Sequence, residues 1–249
     1  PARWRPKSVG PYLGRGAGAA AERGFRAPQA SEFWQQSLPS GDSVQVSLVA
    51  DGAALARAAQ RLGMVGQETL TTVDCQGVNL RSMGKLCLVQ VSFNAGVGLE
   101  CFLFDVVQLG DHVHALLSFL QNPRAFKVVH DAQTLATALA HQFGACPLKG
   151  VIDTQLAFET LSGRALGGLR DLLEWCGVAP PASKDEQFRM TDRAPELWVH
   201  RPLARGLLTC AVQDVCLLHA AVPVLWDRLY ALLGAGSFEM VATASQQRV

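Results

Sequence analysis

Thr71-Thr72-Val73-Asp74-Cys75-Gln76-Gly77-Val78-Asn79 decides the reading of the chain. An apolar approach closing on Val73 reads as a buried strand. Asp74 stands where that strand is expected to end, and Gly77 permits a turn that a side chain would block. The stretch presents a carboxylate at the end of a strand. Beyond it, Lys85-Leu86-Cys87-Leu88-Val89-Gln90-Val91-Ser92-Phe93 is rich in apolar and β-branched residues and reads as an antiparallel return strand. These two strands are expected at the centre of a sheet.

Working outward, Val44 to Val49 alternates like an edge strand, and Asp51 can cap a helix with Leu55, Ala58, Ala59 and Leu62 on one face. Glu100 to Val106 reads as a third strand. Val113, Leu116, Leu117 and Leu120 mark a helix stopped by Asn122-Pro123. From Phe126 the pattern becomes strand then helix. Phe126 to Val129 leads through His130-Asp131 into a helix from Thr134 to Phe143, and Val151-Ile152 leads through Asp153 into helices over 154–161 and 166–176. A polar connection runs from Pro180 to Asp192. Leu203 to Leu233 then repeats apolar residues at helical spacing, with Pro223 expected to kink or divide the run. Three strands followed by β-α alternation give an α/β fold, a mixed β-sheet flanked by α-helices. The expected organisation is an irregular, basic, Gly/Ala-rich extension over 1–43, one domain over 44–233 and a tail over 234–249, with Phe33 and Trp34 able to anchor the extension.

Composition narrows the function classes. The 249 residues carry a formal charge of +1 and are 49% hydrophobic, so no global field argues for nucleic acid or a membrane surface. Seven scattered cysteines, with no CxxC pair, read as reduced core residues. No uninterrupted apolar run approaches about 18 residues, and no membrane span is expected. Arg3, Arg5, Lys7, Arg15, Arg23 and Arg26 stand against Glu22 alone. Such a stretch suits the neighbourhood of a mitochondrial targeting segment, a solvated tail, or an arm that docks on a partner. The mitochondrion is the expected compartment, with the cytoplasm as the alternative.

Several segments, in order, resemble the DEDD-type 3′-5′ exonuclease domain of the RNase D kind, including the Egalitarian-like and piRNA-pathway group. Asp74 to Leu80 with Leu86 to Val91 looks like the first motif. Lys127-Val128-Val129-His130-Asp131 with Leu135 looks like the second, and Val151 to Gln155 is similar to the joint that follows. Trp198, Arg201-Pro202-Leu203 and Leu208 to Val215 resemble the third. The resemblance covers about 44–233 and implies an RNase H-like fold. It also implies two divalent ions held by four carboxylates, an Asp-x-Glu pair in the first motif and one aspartate in each of the others, with a tyrosine four residues before the last aspartate. The ions would activate water for phosphodiester cleavage.

Carried over residue by residue, Asp74 and Asp214 stand at acidic positions. Gln76 takes the glutamate position, Leu135 the second-motif aspartate and Cys210 the tyrosine. Two of four anionic ligands are gone, and charge does much of the work of holding a strongly hydrated Mg²⁺. Losing one catalytic group can cost several kcal/mol of transition-state stabilisation. A pseudo-exonuclease is the expectation, with no cofactor, or Mg²⁺ or Mn²⁺ if activity remains. A single loosely held ion at Asp74, Gln76 and Asp214 is an alternative state of the site. Asp131 could stand in for the missing carboxylate. His130 and His219 could form a new site, but are expected to be core histidines, and Asp105 and Asp153 to be helix caps. The leading function is a scaffold subunit held by protein partners in a larger assembly. The alternatives are non-cleaving RNA binding, with Lys127, Lys149, Arg164, Arg170 and Lys184 as candidate phosphate contacts, and a metal-dependent 3′-5′ exonuclease acting on single strands.

Overall fold

The computed structural model describes residues 29–249 apart from 83, 95, 97, 145, 146, 166 and 182–188. Its elements follow the chain as β1 Glu32–Ser37, β2 Ser43–Val49, α1 Gly52–Leu62, β3 Thr71–Val78, β4 Lys85–Asn94, β5 Leu99–Asp105, α2 Val106–Leu109, α3 His114–Leu120, β6 Lys127–Val129, α4 Ala132–Phe143, β7 Val151–Asp153, α5 Thr154–Ser162, α6 Leu169–Cys176, α7 Arg205–Leu233 and α8 Ser237–Arg248. The strands form one seven-stranded sheet in the order β1-β2-β5-β4-β3-β6-β7. β4 runs antiparallel to both of its neighbours, β3 and β5, while β2 runs parallel to β5, and β6 and β7 parallel to β3. This is the mixed sheet flanked by helices that the pattern predicts.

Alternation along the central strands divides the core. Val73 and Cys75 of β3 with Val89 and Val91 of β4 enter the cluster beneath α1, α3 and α4. Leu88 of β4 and Leu103 of β5 face the cluster formed with Leu208, Ala211, Val212 and Val215 of α7. Buried on this scale, each Leu or Val stabilises the fold by about 1.5–3 kcal/mol before its entropy cost. Asp51 caps α1 by accepting from the Ala54 N–H at 2.9 Å, as its position predicts.

Several expectations are corrected. β3 does not end at Asp74 but continues to Val78, with a register shift between Gln76 and Gly77. There the Lys85 carbonyl comes so close that a Cβ on Gly77 would lie 2.1 Å from it, so glycine answers a close approach inside the strand. β2 is not an edge, because β1 pairs along it in antiparallel register from Glu32↔Leu48 to Ser37↔Ser43. Residues 29–37 of the predicted extension therefore belong to the folded body. They are tied to the start of α7: Gln29 Oε1 accepts from the Leu203 N–H at 2.5 Å, and the Arg205 guanidinium sits 3.9 Å from the centre of the Trp34 ring. Trp34 is the anchor, while Phe33 is 69% exposed.

Pro223 does not divide α7, which is one helix of 29 residues. An 18-residue stretch of it has a mean hydropathy of 1.7, high enough for a membrane span by length and composition, yet 67% of that stretch is buried as the helix crosses the sheet. The predicted tail is α8, packed on β7 through Val241 and Ser245.

Candidate nuclease-type site

Alternation on β3 sends Thr72, Asp74 and Gln76 toward α7. The Thr72 hydroxyl donates to the Val215 carbonyl at 2.9 Å, fixing strand against helix. Asp214 lies at that contact and is buried; Cys210, one turn earlier on the same helix, is buried too. Gln76 Nε2 lies 3.2 Å from Asp214 Oδ2 and 3.5 Å from Asp74 Oδ2, and Asp74 Oδ1 accepts from the Cys75 N–H at 2.8 Å. The three residues that the sequence groups as a one-ion set are thus together, with an amide nitrogen turned toward both carboxylates.

Leu135 offers no ligand oxygen. It lies in the first turn of α4, capped by Asp131, and is 1% exposed in the cluster containing Val73 and Cys75. Asp131 does not stand in for a carboxylate ligand, because it is engaged locally: it pairs with Arg81 and accepts from the Thr134 hydroxyl at 2.8 Å. Burial raises its pKa, but Thr134 and Arg81 outweigh burial and hold the carboxyl below its ordinary value.

The histidines are core groups. His130 bonds the Thr154 hydroxyl at 3.1 Å and the Gly167 carbonyl at 2.9 Å, and burial pushes its pKa down. Burial pushes His219 down to about 4. Asp105 and Asp153 cap α2 and α5, accepting from the Gln108 and Gln155 N–H groups. Among the described residues no cluster of three or more His, Cys, Asp or Glu side chains is arranged to hold a metal.

The basic candidates separate. Lys127 is withdrawn as a phosphate contact: it is 1% exposed, its ammonium donates to the Asn122 carbonyl at 2.7 Å, and burial lowers its pKa to about 8. Lys149, Arg164 and Arg170 are exposed. Lys184 and all six basic residues of the predicted docking arm fall outside the described residues.

One feature of the site escaped sequence reasoning. Gln90, the register partner of Asp74 on β4, is fully buried, and neither its Oε1 nor its Nε2 has a hydrogen-bond partner among the described residues. A buried amide left this way is costly. The only sequence signal is a polar residue two before Ser92 in an otherwise apolar strand.

A mixed sheet crossed by a long helix, with carboxylates from the central strand and from that helix meeting at one point, defines an α/β protein of the 3′-5′ exonuclease type. The family model described as 3′-5′ exonuclease matches residues 50–230, well over half of the chain. The chain belongs to the 3′-5′ exonuclease family. It is 30% identical over 178 residues to piRNA biogenesis protein EXD1 of Mus musculus, covering 66% of this chain and 30% of that protein. It is 33% identical over 167 residues to Ribonuclease D of Shewanella sp., covering 66% and 39%. The chain thus spans well under half the length of these relatives. Trypanosoma brucei RNase D, in a structure with RNA U12, superposes with a TM-score of 0.64 at 23% identity over 82% of this chain and 68% of that one, a likeness of fold.

Proposed function

We propose that this chain is a catalytically inactive member of the 3′-5′ exonuclease family whose fold serves as a rigid body in a larger, protein-held assembly. The observation that carries the reading is the placement of the Gln76 amide nitrogen between Asp74 and Asp214. A two-cation centre needs oxygen ligands with enough negative charge to compete with hydration. Here two carboxylates remain, the amide turns its donor and not its oxygen toward them, and Leu135 lies in the apolar core. This donor set does not fit a pair of Mg²⁺ or Mn²⁺ ions, and no step of hydrolysis is derived through them. Cys210, with its short side chain and poor hydrogen-bonding sulfur, does not replace a tyrosine that orients water. A mitochondrial setting for the assembly is part of the proposal and rests on the Arg-rich composition of residues 3–26 alone.

A second reading, RNA binding without cleavage, is favoured by the exposure of Lys149, Arg164 and Arg170 on a fold that Trypanosoma brucei RNase D uses in complex with RNA U12. The test is one assay on labelled single-stranded RNA and DNA with Mg²⁺ and with Mn²⁺. It compares the natural protein with a triple variant carrying Gln76→Glu, Leu135→Asp and Cys210→Tyr. The expected result is no 3′ trimming by the natural protein and metal-dependent trimming by the variant. Trimming by the natural protein that Asp74→Ala abolishes would overturn the inactive reading. Retention of RNA by the natural protein at low salt, lost as salt rises, would favour the binding reading over the scaffold.

A further inference from the structure

β3 and α7 bring two carboxylates to one point, where their repulsion is a cost to the fold. Asp74 is half-buried and Asp214 is buried, so water screens the pair poorly. Gln76 Nε2 is within reach of both, 3.5 Å from Asp74 Oδ2 and 3.2 Å from Asp214 Oδ2. A primary amide nitrogen has two N–H bonds and can aim one at each oxygen. The reversed amide would set its carbonyl oxygen against two anions, so electrostatics select the donor orientation. A glutamate at the same place would instead add a third carboxylate, and three such groups stay together only around a cation or a proton.

We infer that Gln76 is a built-in replacement for a divalent cation, an amide clasp that closes β3 on α7 without metal. The identity of residue 76 then decides whether the stability of this fold depends on divalent ions. The clasp ends a polar seam in which Thr72 of β3 bonds Val215 of α7 and Ser92 Oγ of the neighbouring β4 lies 3.8 Å from Cys216 Sγ. Its position makes it a positioning residue for strand and helix. The inference deepens the inactive reading and rests on it only in treating position 76 as a former ligand position.

Thermal unfolding of the full chain tests it, with EDTA or with Mg²⁺, Mn²⁺ or Ca²⁺, in the natural protein, in Gln76→Glu and in Gln76→Met. The natural protein is expected to unfold at one temperature in all conditions. Gln76→Glu is expected to unfold lower in EDTA and to gain about 5–10 °C at a cation concentration about a hundred times its Kd. Gln76→Met, similar in volume but unable to donate, is expected to unfold lower and to recover with no cation. If Gln76→Glu folds only with cation, the inference stands; if it folds under no condition, Gln76→Met decides by its loss or retention of Tm. The inference is overturned if Gln76→Glu folds but ignores cations, if Gln76→Met is as stable as the natural protein, or if the natural protein is itself stabilised by cation. Nuclease activity is read separately, so a clasp that fails in an inactive protein removes the inference and leaves the inactive reading in place.

Discussion

Asp74, Asp105 and Asp153 follow apolar residues on three strands of one sheet, in the short sequences Thr-Val-Asp, Leu-Phe-Asp and Val-Ile-Asp. Their surroundings differ. Asp105 is fully buried and grips Arg201 with both oxygens, at 2.6 and 2.7 Å, while the same guanidinium donates to the carbonyls of Trp198, His200 and Cys87. Asp153, also fully buried, accepts from the N–H groups of Asp131, Ala132 and Gln155 and from Arg248 at 3.1 Å. Asp74 is half-buried, lies within its strand and faces a neutral amide. Two of these carboxylates are staples answered by arginine. The third meets the amide of Gln76, and the difference lies in what the distant chain brings to each.

The comparison breaks most visibly at Arg201. Arg201→Met leaves Asp105 charged and unpaired in the core, and removing one member of a buried pair costs about 3–5 kcal/mol. Denaturant unfolding is expected to show that loss; a change below about 1 kcal/mol would mean that the pair is no staple. A smaller effect is expected at the other end of the sheet. Arg248→Gln removes one charged donor from Asp153 but leaves its three backbone N–H groups, for a loss of about 1.5–3 kcal/mol. Faster hydrogen exchange at Ala132 and Gln155 would locate the damage, and unchanged exchange there would separate α8 from the Asp153 network.

Much of the fold was legible because its signals are local. The apolar, β-branched run in 85–93, the cap at Asp51, the turn into α4 at Asp131 and the strand-then-helix order after Phe126 each depend on residues a few positions apart. β1 was missed because, although its strand partner β2 is near, the contacts that hold its inner face come from far along the chain. Trp34 and Gln36 meet Arg205 and Thr209, more than 170 residues away, and four of the strand's six residues are exposed. α8 was read as a tail because it buries few residues, and its strongest ties are polar ones to Asp153 and Gln155.

The site was legible as a set of positions and illegible as a geometry. Sequence brought Asp74, Gln76 and Asp214 together as positions of one site. It could not say which end of the Gln76 amide faces the carboxylates, nor that Lys127 turns its charge into the core, because both follow from burial. Gln90 is the clearest such case: in sequence it is one polar residue in a strand, and in the fold it is a buried amide beside Asp74.

The central claim, that an amide and not a metal ion holds Asp74 and Asp214, is tested most directly by titrating the natural protein with Mn²⁺ and following the electron paramagnetic resonance signal of the free ion. The account predicts the same free signal with the natural protein and with an Asp74→Ala variant at millimolar protein. Loss of free signal with the natural protein, restored by Asp74→Ala, would contradict it.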